Sequence, residues 1–212
     1  MKRLLYLLYL LFPLMAFGGE PIQLARMNPY VAGCIAATAE TCSATLKSKL
    51  PETLDQVLQV GKADTDYYRG VTFRLTTAGK ICSVLFKLSN TGDISAKSYT
   101  AHLWSTTGAA TTLDAVLATS DAVTCPTCTT NSVWNKTEVT FTFPTPYSAS
   151  TGVDYVITLT SGAATDATKY IEINYNGSDA ESYWGWGRWS SAGGAAGSSG
   201  AQDIYGTVKG MQ

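Results

Sequence analysis

Histidine is almost absent from this 212-residue chain, where His102 is the only one. A histidine-rich metal site is excluded by that count, and any Ser-His-Asp triad would have to be built around one ring. No Gly-x-Ser-x-Gly elbow accompanies it. Charge is scarce as well: 15 Lys and Arg against 16 Asp and Glu leave a net charge of −1, and charged residues make up 15% of the chain. There is no basic stripe to displace counterions, which excludes nucleic acid as a partner. Near-neutrality also argues against adsorption to anionic membranes by charge.

The apolar run Leu4 to Ala16, interrupted by Tyr6, Tyr9 and Pro13, is shorter than the about 20 residues a spanning helix needs. Lys2 and Arg3 precede it, and Ala16-Phe17-Gly18 supplies small residues after it. The segment 1–18 therefore reads as an export signal cleaved after Gly18, leaving no membrane span in the mature chain, with an uncleaved N-terminal anchor as the alternative. No cysteine follows the run directly, so lipid attachment is not supported.

An exported chain can form disulfides, which makes the five cysteines intelligible. Cys125-Pro-Thr-Cys128 lies between strand-like segments, and a tight turn brings such residues within the ~4.4–6.8 Å a disulfide requires. Cys34 and Cys42 form the second natural pair, provided the segment between them bends. In one straight helix they would stand ~12 Å apart along the axis. Cys82 is left over. It shares strand parity with Val84, Phe86 and Leu88, which predicts a buried free thiol. A redox role for the CxxC is disfavoured because Thr129-Thr-Asn-Ser-Val-Trp follows it, and no amphipathic helix is there to activate a thiolate.

Residues 19–53 are rich in alanine and suggest a helical or irregular N-terminal arm ending near Pro51. From residue 54 to 212 short alternating runs bounded by Gly, Asn, Asp, Ser and Pro predict one all-β sandwich domain. The predicted strands are Gln56–Val60, Tyr68–Leu75, Lys80–Ser89, Tyr99–Ser105, Val116–Ser120, Lys136–Phe143, Tyr155–Thr160, Tyr170–Asn176 and Asp203–Val208. Asn90-Thr-Gly-Asp93 and Pro144-Thr-Pro146 mark turns, the prolines preventing strand continuation. Ser190 to Gly200 reads as a small-residue loop.

Several of these runs carry a resemblance. Val84-Leu-Phe-Lys-Leu88-Ser, His102-Leu-Trp-Ser105, Val116-Leu-Ala-Thr-Ser120, Val139-Thr-Phe-Thr-Phe143 and Val153-Asp-Tyr-Val-Ile-Thr-Leu159 occur in an order that resembles the choice-of-anchor R domain and related bacterial surface jelly rolls. The likeness covers about three quarters of the chain, on strand patterns and turns rather than on catalytic residues. It implies a jelly-roll-like antiparallel β-sandwich, secreted or displayed at a surface, similar in architecture to carbohydrate-binding modules, and implies no particular ligand.

No residue stands out as a catalytic acid or base. Asp64, Asp66, Asp154, Asp166, Glu172, Asp179 and Glu181 read as turn carboxylates or, at most, oxygen ligands of a structural calcium. His102 reads as a strand-surface histidine facing the same side as Trp104. Asn135-Lys-Thr137 and Asn176-Gly-Ser178 match the N-glycan acceptor pattern, which counts only in a host that makes such glycans. The expectation is a non-catalytic protein without metal or cofactor.

The most distinctive stretch is Ser182-Tyr-Trp-Gly-Trp-Gly-Arg-Trp189, with three of the five tryptophans. Run out as a strand, it places Trp184, Trp186 and Arg188 on one face, with the two rings ~7 Å apart. Such a row can stack on successive sugars while the guanidinium donates to hydroxyls. It can equally serve as buried packing, because tryptophan is mostly buried and glycine beside a ring marks close backbone approach. The expected partners are thus extracellular glycan, through Trp184, Trp186 and Arg188, or the chain itself. In that alternative, residues 19–53 link copies into an extracellular filament or sheath by adding to an open sheet edge.

Overall fold

The structure, a computed structural model, describes residues 41–51, 53–62, 67–107, 112–177, 184–190, 195–199 and 203–211. At Tyr67, Trp184, Trp186, 188–190 and 195–199 the description stops at the backbone. The chain divides after Ala39, and every described residue belongs to the second unit, Glu40–Gln212. The export signal, Cys34 and residues 19–40 lie outside the described residues, as do Asp64, Asp66, Asp179 and Glu181.

The described residues form two antiparallel sheets and no helix, the all-β sandwich the alternation predicts. One sheet holds β1 (Ala44–Lys49), β2 (Gln56–Val60), β4 (Gly79–Thr91), β8 (Thr137–Ala149), β10 (Tyr170–Asn176), β13 (Asp203–Ile204) and β14 (Gly206–Met211). The other holds β3 (Tyr67–Arg74), β5 (Ser98–Thr107), β6 (Thr112–Thr119), β7 (Val123–Thr124), β9 (Asp154–Ser161), β11 (Trp184–Ser190) and β12 (Ala195–Ser199). From β2 to β5, and again from β7 to β11, each strand crosses to the sheet opposite its predecessor. These crossings give the fold its jelly-roll-like character.

Alternation explains the core. Val71 and Phe73 of β3, Tyr155, Ile157 and Leu159 of β9, and Tyr99, Ala101 and Leu103 of β5 line the inner face of the second sheet. Val84, Phe86 and Leu88 of β4, Val139, Phe141 and Phe143 of β8, and Ile171 and Ile173 of β10 meet them from the first. Phe86 and Phe141 pack edge to face at 6.4 Å between centroids.

Three local expectations are corrected. Ala44–Lys49, inside the alanine-rich arm, is a strand: it pairs with β14 and buries Leu46, a tertiary contact that overrides helix propensity. Ala195–Ser199, within the stretch read as a loop, is a strand paired with β11. Strand β8 runs on through Pro144 and Pro146, where the turn was expected. The prolines sit where the ladder to β4 is interrupted: Ser83 faces Thr142, and the next pair is Ile81 with Tyr147. A proline that has no ladder bond to give can stay within a strand.

The cysteine pairing is corrected as well. Cys42 is bonded to Cys82, not to Cys34, and Cys82 is not a free thiol. Cys125–Cys128 forms as expected. Parity placed Cys82 in the core, where it lies, but the residue is also a bulge, skipped both in the ladder to β14 and in the ladder to β8. An extra residue breaks the period of two, so Ile81, Cys82, Ser83 and Val84 are all buried in succession.

The first sheet also forks. β14 lies beside residues 80–86 of β4 and β10 beside residues 88–91, with Tyr205 at the branch. Buried Asn174 fills the fork, its amide donating to Lys87 O, to Ser89 Oγ and to Glu172 O.

Candidate functional site

A sheet whose outer face is solvated alternates apolar with polar residues, yet β9 reads Tyr155-Val156-Ile157 without a break. Val156 points away from the core and is nevertheless fully buried. It is covered by a second apolar cluster on the outer face of this sheet: Leu113 of β6 is buried with it, and Tyr68 of β3 and Trp104 of β5 pack against this cluster. The Tyr68 and Trp104 rings lie 5.2 Å apart, tilted by 55°.

Polar groups hold Trp104 and its neighbour His102. Trp104 Nε1 donates to Thr158 Oγ1 at 2.9 Å. His102, two residues before Trp104 and on the same face, has its ring centroid 6.3 Å from that of Trp104. Its Nδ1 meets Thr119 Oγ1 at 3.2 Å and its Nε2 meets Thr160 Oγ1 at 3.0 Å. At the far end of the face Arg74 grips Asp154 with two bonds of 2.7 and 2.8 Å. The site therefore consists of two aromatic rings, one imidazole, a row of threonine hydroxyls and a closed ion pair.

Burial pushes the His102 pKa below its ordinary 6.5, so the ring is neutral at pH 7. Below pH 6.5 the unfolded chain takes up a proton that the folded site resists. The contribution of His102 to stability is thus complete above 6.5 and drains away as pH falls toward the lowered folded value. We expect His102→Gln to flatten the acid side of the stability profile between pH 7.5 and 5, measured by urea unfolding. An unchanged slope there would show that folding does not lower the His102 pKa.

This arrangement can offer stacking faces and hydroxyls to a ligand. Both ring nitrogens of His102 face threonine hydroxyls, and Asp154, at the far end of the face, is engaged by Arg74. The other carboxylates are dispersed. Asp166 caps its own turn through Thr168, whose backbone and side-chain donors lower its pKa, and Glu172 is half-buried beside Gln59, its pKa raised by burial. No group of three or more His, Cys, Asp or Glu is gathered among the described residues.

Trp184, Trp186 and Arg188 lie on β11 in the same sheet, beyond β3. In register they stand opposite Phe73, Val71 and Arg69, three buried positions, while Gly185 and Gly187 between them are buried opposite Thr72 and Gly70. Thr72 Oγ1 donates to Gly185 O at 3.1 Å. The side chains of Trp184, Trp186 and Arg188 lie outside the described residues. Sequence reasoning passed over Tyr68, Leu113, Val156 and Thr158, although the unbroken apolar triplet in β9 was a signal that both faces of that strand are covered.

No family model, curated protein or solved structure matches the chain.

Proposed function

We propose that this is an exported, non-catalytic surface or matrix protein that holds glycan on the outer face of its second sheet. The observation that carries the reading is the Tyr68–Trp104 pair, fixed over Leu113 and Val156 on the face opposite the core and flanked by threonine hydroxyls. Flat apolar rings with nearby hydroxyls suit the alternating apolar and hydroxyl faces of a sugar. The resemblance to choice-of-anchor R domains and the two disulfides are compatible with an extracellular setting, and no described helix is long and apolar enough to cross a membrane. We assign the stacking surface to Trp104 and Tyr68 rather than to Trp184 and Trp186, whose partners on β3 are buried.

Titration of intrinsic tryptophan fluorescence with a panel of soluble oligosaccharides tests this. At least one sugar is expected to shift the emission, and Trp104→Ala to weaken that binding about tenfold, the equivalent of ~1.4 kcal/mol. Trp184→Phe and Trp186→Phe should leave the affinity unchanged. A response lost with Trp184 or Trp186 but kept in Trp104→Ala would return the site to β11. Silence from every sugar at millimolar concentration would sink the glycan reading.

A further inference from the structure

Strand β1 is held to the domain by a small set of contacts. Among the described strands its ladder partner is β14 alone, at the edge of the first sheet. One of its side chains, Leu46, enters the core. Leu46 sits in a slot floored by two glycines: a Cβ at Gly210 would lie 2.4 Å from Leu46 Cδ1, and one at Gly79 would lie 3.0 Å from Leu46 Cδ2. Four residues earlier Cys42 is bonded to Cys82 of β4, reaching past β14, whose Gly210 pairs with Ala44 on one side and Ile81 on the other. At the opposite end of β1, Lys49 Nζ lies 3.2 Å from the buried carboxylate of Asp203.

The link that follows begins with Leu50, 54% exposed, and Pro51. The residue before a proline is pushed toward extended conformations, so Leu50 is biased to continue the extended backbone of β1, and Pro51 after it is buried. Ladder, leucine slot, disulfide and ion pair are all contacts between β1 and the body of the sandwich. None of them requires that the strand and the slot belong to the same chain. Exchange of such an element between copies preserves every contact and so costs little.

We propose that the slot walled by β14 and β4 accepts residues 42–49 of a second copy as well as its own. Copies are then joined by exchanged β1 strands, and the Cys42–Cys82 bond seals whichever strand occupies the slot. In the sealing step each thiol loses a proton and one electron, and the Sγ–Sγ bond forms. A small-molecule disulfide such as oxidised glutathione takes up the two electrons and two protons, and its own bond breaks to give two thiols. This deepens the self-assembly alternative, locating the linking element at β1, and is independent of glycan binding.

Isotope mixing decides the matter. In a Cys34→Ser background, light and nitrogen-15-labelled copies are reduced, unfolded, combined, refolded at several concentrations and oxidised with glutathione disulfide. Peptides are then mapped without reduction. The expected result is Cys42–Cys82 linked peptides with one light and one heavy half, their share rising with concentration toward one half. Only all-light and all-heavy pairs at every concentration, up to the millimolar range, would overturn the proposal. If refolding does not restore the bond, Cys42→Ser and Cys82→Ser copies exported from one cell answer the same question. A Cys42–Cys82-linked pair of chains supports exchange, and two separate monomers refute it.

Discussion

Replacing Cys42 and Cys82 together by serine is expected to lower the unfolding free energy by about 4 kcal/mol, against about 2 kcal/mol for the Cys125, Cys128 pair. The difference follows from loop length. The first bond closes a sequence separation of 40 residues and the second a separation of 3. In the chain-entropy account the unfolded ensemble loses more freedom to the longer loop. The longer bridge also ties β4 to β1, whose one ladder among the described strands is with β14. Urea unfolding of the two double variants at constant pH would show it. Equal losses would mean that the unfolded chain already keeps residues 42 and 82 close.

The second large effect is expected at Gly70, midway along β3. A Cβ there would lie 1.9 Å from the carbonyl oxygen of Ile157 and 2.7 Å from the Cα of Thr158, both backbone atoms of β9. Backbone cannot rotate aside as a flexible side chain can, so the two strands must separate. Gly70→Ala is therefore expected to cost about 3 kcal/mol or more, at the upper end of what overpacking produces. The damage should be visible on the outer face, because β3 carries Tyr68 and β9 carries Val156 and Thr158. Near-UV circular dichroism should lose the tryptophan fine structure together with the stability. A stable variant with an unaltered spectrum would show that β3 and β9 can shift apart without disturbing the aromatic pair.

Much of this fold was legible because alternation is a strong signal wherever one face is buried. Gln56–Val60 and Tyr170–Asn176 have the boundaries the pattern predicts, and seven other predicted segments carry strand. Illegible features share one cause: their state is set by partners far away in sequence. Ala44–Lys49 has helix-favouring neighbours and becomes a strand only because β14 pairs with it. Cys82 was rightly placed in the core by alternation, but its bonding partner, Cys42, lies 40 residues away beside a strand that no local pattern assigns to that sheet. The site was half legible. His102 and Trp104 were placed on one face by parity, and they are indeed neighbours there. Tyr68, however, comes from a different strand, and no local pattern says which strands will flank β5 across β9.

The position of β14 between β1 and β4 has a consequence for the order in which the molecule can be completed. Residues 44–49 and 80–86 emerge early from the ribosome or an export channel, but the strand that satisfies both occupies residues 206–211. Until that segment arrives, two sets of backbone amides and carbonyls in the first sheet have nothing to pair with. Closing contacts of such long sequence separation is slow, because the entropy of a large loop is spent before any ladder bond repays it. The domain should therefore remain open through most of its delivery and close late, in a single step, which is the behaviour a chain needs if it is to cross a membrane unfolded.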